Sequence, residues 1–237
     1  MTQPPSPAPS LPKPSLPTPL QGHQVLTRHP ASPGGVELQL TAWVARELRG
    51  SAPGWCLRYE LRGKTDELRV PEPLPPSQAD GLWQHTCFEA FVALRSEPAY
   101  REFNFSPSGQ WAIYAFSEER MRDLTAEAAL QHMPPEITWT NAPAGCVLQA
   151  WLPAAAWPEP SAARPLQIGL SAVTQRLDGS VCHWALHHPR PQRSGHRVRR
   201  CRSCSYDRHR RCCSRRGSLP LPEPERYLLS KTRLEFS

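Results

Sequence analysis

The sequence predicts an all-β fold, a β-sandwich of jelly-roll type with one short helix and disordered termini. Three observations lead to it. Segments of strand length that alternate apolar and polar residues recur through the body of the chain. Turn residues separate them, and a single stretch has helical character between its boundaries. Proline crowds the start, where eight of the first nineteen residues are Pro, so neither helix nor central strand can form there.

Ordered structure is expected from about Leu20. Val36 to Arg46 (VELQLTAWVAR) opens with the alternation of a half-buried strand, and Trp55 to Leu61 (WCLRYEL) repeats it. Leu68 to Val70 is a short strand stopped by PEPLPP. His85 to Leu94 is the strongest strand. Tyr100 to Phe105 and Trp111 to Phe116 pair as a hairpin around Ser106-Pro107-Ser108-Gly109, where Gly can take positive φ. Ser117 to His132 reads as the helix, with Ser117 as N-cap, Glu118 and Glu119 in the first turn, and Pro134 and Pro135 as its end. Ile137 to Thr140, Cys146 to Leu152, Leu166 to Thr174 and Val181 to Leu186 are further strands, with Asp178-Gly179 turning between the last two. Roughly nine or ten short strands and one helix make a sandwich.

Charge divides the chain more sharply than length does. The formal net charge is +7 over 237 residues, but eleven Arg against the single acid Asp207 give the stretch from Arg190 to Arg216 a charge of +10. The remainder is therefore mildly acidic at −3, and the high pI describes a tail rather than a fold. We divide the chain into a disordered Pro-rich lead (1–19), a β-sandwich (20–189) and a basic Arg/Cys-rich tail (190–237), also expected to be disordered. No apolar run is long enough for a transmembrane helix, and the start lacks a secretory pattern, so a cytoplasmic address without membrane attachment is expected. Cys56, Cys87, Cys146 and Cys182 then read as buried apolar residues.

Strand parity supplies the candidate site. Along His85 to Leu94 one face carries Thr86, Phe88, Ala90, Val92 and Leu94, a core face. The other carries His85, Cys87, Glu89, Phe91 and Ala93. On the next strand Arg101, Phe103 and Phe105 alternate with Glu102, Asn104 and Ser106. Carboxylate, amide and imidazole beside Trp suit a sugar or other polyhydroxylated ligand, because carboxylates and amides bind hydroxyls while aromatic rings pack on C–H faces. The candidate ligand residues are Trp83, His85, Glu89, Arg101, Asn104 and Trp111. An ion pair between Glu89 and Arg101 is the structural alternative.

The residues WQHTCFEAFVA, then YREFNFSPSGQWAIYAF, then IGLSAV with DGS and WAL before His188-Pro189, resemble the bacterial DOMON-like domain proteins, relatives of the family 9 carbohydrate-binding modules. Glu89 and Phe91 match the first strand pattern of that group, and Phe103-Asn104-Phe105 with Gly109 matches the second. The resemblance covers about Leu20 to Pro189. It implies a DOMON/CBM9-like sandwich, no catalytic activity, and a sugar or haem ligand. Sugar-binding members clamp the ligand between two Trp, for which Trp83, Trp111 and Trp184 are candidates here, and carry structural calcium in some cases. Haem would draw on His85, His187 or His188, without a paired motif to support it. The group also leads us to expect one last apolar strand after His188-Pro189. The text that follows instead has the character of an out-of-frame reading of a GC-rich gene. If that strand is lost, a sheet edge is left unpaired.

The sequence also admits other functions. A protein partner on the same sheet is one. In the tail, Cys201-x2-Cys204-x4-His209-x3-Cys213 approaches a nucleic-acid-binding zinc knuckle, but Ser214 stands where the last Cys is expected. Non-specific contact with polyanions suits that tail better. Catalysis would use Cys87 as nucleophile, His85 as base and Glu89 as orienter. Same-face neighbours on a strand lie about 6.5–7 Å apart, too far for a tight pair. The expectation is a non-catalytic binding module with no cofactor beyond calcium.

Overall fold

The computed structural model describes residues 23–32, 37–142 and 144–188, together with the backbone of Leu234–Phe236. Its strands are β1 (Gln24–Arg28), β2 (Leu38–Arg49), β3 (Ala52–Gly63), β4 (Cys87–Leu94), β5 (Tyr100–Phe105), β6 (Trp111–Glu118), β7 (Met121–Arg122), β8 (Glu136–Ala142), β9 (Gly145–Pro153), β10 (Leu166–Gln175), β11 (Val181–Ala185) and β12 (Leu234–Phe236). The α-helix among them, α1, is Leu124–Leu130. The Pro-rich lead and the zinc-knuckle candidates Cys201, Cys204, His209 and Cys213 lie outside the described residues.

All the strand pairings are antiparallel, and they form two layers. The back sheet runs β1-β2-β3-β9-β8 and the front sheet β7-β6-β5-β4-β10-β11. β1 joins them: Gln24 to Leu26 pair with β2, while Thr27 and Arg28 pair with β11. Leu40, Leu57, Tyr59, Leu61 and Leu148 of the back sheet and Phe88, Val92, Phe103, Phe105, Ile113 and Ile168 of the front sheet share one core. This is the expected sandwich, with alternation selecting the inward residues of each strand. The Tyr59 hydroxyl crosses the layer and donates to the Glu89 carbonyl at 2.7 Å, so even this fully buried hydroxyl is satisfied.

Several boundaries differ from the sequence reading. β1 was not anticipated. Leu68 makes only an isolated bridge to Arg176. The helix begins seven residues later than Ser117, because the strand continues through Glu118, Arg120 takes φ +63° and Met121–Arg122 turns back as β7. The N-cap is Asp123, whose Oδ1 accepts from Ala126 N at 3.0 Å. The hairpin at Gly109 forms as expected, with φ +92°. β12 lies along Leu166–Ile168 and pairs with that part of β10.

Gly145 opens β9 at φ +148°, and a Cβ there would lie 1.9 Å from the Leu61 carbonyl oxygen. Gly145→Ala must therefore displace the β3–β9 ladder. The expected cost is about 1–3 kcal/mol, read as a melting temperature lowered by several degrees in a thermal scan; an unchanged value would show that the ladder yields freely there.

Candidate functional site

The front sheet turns a second face away from the sandwich core. Register assigns it Cys87, Glu89, Phe91 and Ala93 of β4, Tyr100, Glu102 and Asn104 of β5, Ala112, Tyr114 and Phe116 of β6, and Ser171 of β10. Much of this face is apolar. Cys87, Phe91, Ala93, Tyr100, Ala112, Tyr114 and Phe116 form a second buried cluster together with Leu82. Leu82 belongs to the connection between β3 and β4, which lies over the sheet. Ala79 N donates to Trp111 O at 2.9 Å and Trp111 N to Ser77 O at 3.0 Å, tying this connection to the β6 edge. Gly81, at φ +73°, then turns the chain into the 3-10 turn Leu82–Gln84.

This crossing creates a cavity of about 350 Å³ lined by Asp80, Gly81, Trp83, Gln84, Tyr114 and Arg122. Its polar groups are braced in series. The Tyr114 hydroxyl donates to Asp80 Oδ1 at 2.8 Å, and the Arg122 guanidinium carbon lies 4.8 Å from the Tyr114 ring centroid. Arg122 also makes a two-pronged ion pair with Glu127 of α1, its Nε donating to Oε2 at 3.1 Å and its Nη2 to Oε1. Burial and the neighbouring Asp80 carboxylate push the Tyr114 phenol above its ordinary range, so it stays a donor at neutral pH. The Glu127 partner raises the Arg122 pKa.

Of the residues singled out from sequence, Trp83 alone lines this cavity. Glu89 shares the face and is half-buried, its Oε2 accepting from the Ser171 hydroxyl at 2.7 Å. Asn104 stands opposite Glu89 but is 1% exposed, its amide donating to Glu102 Oε1 at 2.9 Å; it supports the layer rather than meeting a ligand. His85 is exposed and its Nδ1 pairs with Gln175 Oε1 at 3.1 Å. Two placements are corrections. Arg101 pairs with Val92 and points to the inner side of the sheet, so it cannot bond Glu89; its Nη1 donates to Ala156 O at 2.7 Å. Trp111 pairs with Phe105 and belongs to the inter-sheet core, as does Trp184, whose indole donates to the Thr174 hydroxyl at 2.9 Å. Asp80, Gln84, Tyr114 and Arg122 were missed. Parity already placed Tyr114 with Ala112 and Phe116 on one face; the path of the 68–86 connection carried no periodic signal.

Cys87, the thiol of the catalytic alternative, is 0% exposed and its Sγ lies 3.8 Å from Asn104 Oδ1. Burial pushes its pKa well above the ordinary value. His85 faces Gln175 instead. The four body cysteines are buried and free, as the sequence predicted. Among the described residues no group of three or more His, Cys, Asp or Glu is placed to hold a metal ion, and no helix is long and apolar enough to cross a membrane.

No family model matches this chain, and no curated protein matches it. Among solved structures, it is similar to a protein of Bacteroides uniformis provisionally described as carbohydrate-binding, at 14% identity and a TM-score of 0.48 over 69% of this chain and 77% of that one. It is also similar to a family 9 carbohydrate-binding module of Caldicellulosiruptor kristjanssonii in complex with cellotriose, at 7% identity and a TM-score of 0.42 over 70% and 73% of the two chains.

Two outcomes follow from the buried thiols. Alkylation of the native protein at neutral pH should leave the Cys87 peptide unlabelled by mass spectrometry, with labelling only on unfolding; a labelled Cys87 in the folded protein would contradict its burial. Burial and Glu47 also push the Cys56 thiol from 9.0 up to about 12. The folded state then keeps a proton that the unfolded chain releases, so this stabilisation is intact below about pH 9 and is lost as pH rises toward 12. Melting temperature should fall across that window, and a flat profile would contradict the assignment.

Proposed function

We propose that this protein is a non-catalytic binding module that takes a carbohydrate or related polyhydroxylated ligand in the cavity beneath Trp83. The observation that carries this reading is the convergence of five unlike side chains on one small cavity: Asp80, Trp83, Gln84, Tyr114 and Arg122. A carboxylate, an amide, a phenol and a guanidinium offer both donors and acceptors to vicinal hydroxyls, and an indole offers an apolar wall for a sugar's C–H face. The series Glu127, Arg122, Tyr114 and Asp80 holds these groups in place before a ligand arrives, which lowers the ordering cost of binding. Against catalysis stands the geometry of Cys87 and His85, since a sealed thiol facing an amide has neither base nor access.

Thermal-shift titration of the full chain with mono- and oligosaccharides tests this, with calcium and haem as further arms. A ligand of the folded state stabilises it by about 2.7 kcal/mol at a hundredfold excess over Kd. We expect a saturable shift with one sugar class, abolished by Trp83→Ala and reduced at least about tenfold by Asp80→Asn, the loss of one charge-assisted hydrogen bond. No shift with any sugar, from protein shown to be folded, would overturn the reading.

A further inference from the structure

A larger cleft of about 910 Å³ opens elsewhere, between the end of β2, the start of β3 and the segment that follows β9. Arg46, Trp55, Arg101, Trp157, Pro158 and Glu159 line it. Its indoles are engaged within the protein: Trp55 and Trp157 stack with ring centroids 4.5 Å apart and planes 7° apart, and the Arg46 guanidinium carbon lies 5.1 Å from the Trp55 ring centroid. They are 4% and 3% exposed, so they form a rigid wall rather than an open stacking platform.

What distinguishes the cleft is Arg101. Arg49, Arg58, Arg122, Arg164 and Arg176 each face a carboxylate within salt-bridge distance. Arg101 is half-buried, yet among the described residues its one polar partner is the Ala156 carbonyl, bonded by Nη1 at 2.7 Å. A guanidinium carries five N–H donors, so most of this fork has no protein acceptor. Burial holds its pKa below the ordinary value, the sign of a cation removed from water without compensation. Arg101, Pro158 and Glu159 also border an adjoining hollow of about 460 Å³, so the guanidinium stands where two cavities meet. The acids nearby do not neutralise it. Glu47 lines the cleft, but its Oε1 accepts from Arg49 Nε at 3.1 Å, and Glu159 is exposed at the rim.

We propose that this cleft is a second binding site, one that takes a small-molecule carboxylate on the Arg101 fork with Arg46 as a second cation in the same cleft. The two oxygens of a carboxylate match two parallel N–H groups of a guanidinium, and the remaining carbon skeleton packs against proline and indole edges. A monoanion suits the cleft better than a phosphate dianion, because Glu47 and Glu159 repel the second charge. The site is independent of the cavity beneath Trp83: Arg101 leaves the opposite face of β5 from Glu102 and Asn104.

Calorimetric titration of the full chain at constant ionic strength tests the proposal, with the monoanions D-galacturonate and butyrate as probes and galactose and inorganic phosphate as controls. Binding of galacturonate alone would assign a uronic acid, and binding of both a general organic acid. We expect saturable binding of at least one carboxylate, abolished by Arg101→Met and unchanged by Arg62→Met, which removes one positive charge from an exposed site paired with Glu60. Arg101→Lys keeps the charge without the fork and should fold even where Arg101→Met does not; it should weaken binding at least about tenfold. No saturable carboxylate binding, binding of phosphate alone, or an affinity unchanged in Arg101→Lys would each overturn the proposal.

Discussion

Both faces of β4 and β6 are largely apolar, and no strand can leave two such faces in water. One face packs into the sandwich, where Phe88, Phe103, Phe105 and Ile113 meet the back sheet. The other holds Phe91, Tyr100, Tyr114 and Phe116, and the sandwich offers nothing to cover it. Each large side chain of this kind is worth about 1.5–3 kcal/mol when fully buried. The connection between β3 and β4 supplies the cover, with Leu82 as its apolar contribution. The candidate site is a consequence of that cover. Asp80, Trp83 and Gln84 flank Leu82 in sequence, so docking Leu82 brings them to the edge of Tyr114 and Arg122.

The same layer explains why polar groups lie inside it. Glu102 and Asn104 are 2% and 1% exposed, a costly place for a carboxylate and an amide, and Asn104 donates to Glu102 to offset part of that cost. Their position constrains pairing. Sliding β5 by one residue against β4 would exchange Glu102 and Asn104 with Phe103 and Phe105, driving a carboxylate into the inter-sheet core. The buried pair therefore penalises the register that would destroy the sandwich. The Tyr59 hydroxyl acts similarly between layers, since its one bond to the Glu89 carbonyl holds β3 opposite β4.

Strands were legible in the sequence because alternation is local. Tyr100 to Phe105 has the boundaries its pattern predicts, and most other strands differ by a few residues. Features that depend on partners were not legible. Arg101 and Glu89 sit on strands whose parity is plain, but whether they share a face depends on an odd or even offset between those strands, and no residue in either announces it. Trp111 was ambiguous for another reason: an indole serves a core and a sugar site equally well, and only its pairing with Phe105 decides. Ser117 is a sound N-cap by type, yet Asp123 caps the helix because β6 runs on to Glu118 and pairs with Met121. The 68–86 connection is rich in proline and lacks period, so the residues it delivers to the cavity could be read as types but not as neighbours.

The two proposed binding surfaces lie on opposite sides of the front sheet, and β5 separates them by the simplest property of a strand. Arg101 and Glu102 are adjacent, so their side chains leave β5 on opposite sides. Arg101 reaches the cleft behind the front sheet, and Glu102 supports the layer in front of it. Neither side chain can change places without shifting the whole strand, so the two surfaces are separate in chemistry but share one scaffold. A ligand that tightened the Arg101 cleft would restrain the backbone of β5 as well, and with it the register on which Tyr114 and its bond to Asp80 depend. The paired strands β5 and β6 therefore give the two proposed surfaces a shared backbone through which they could be coupled.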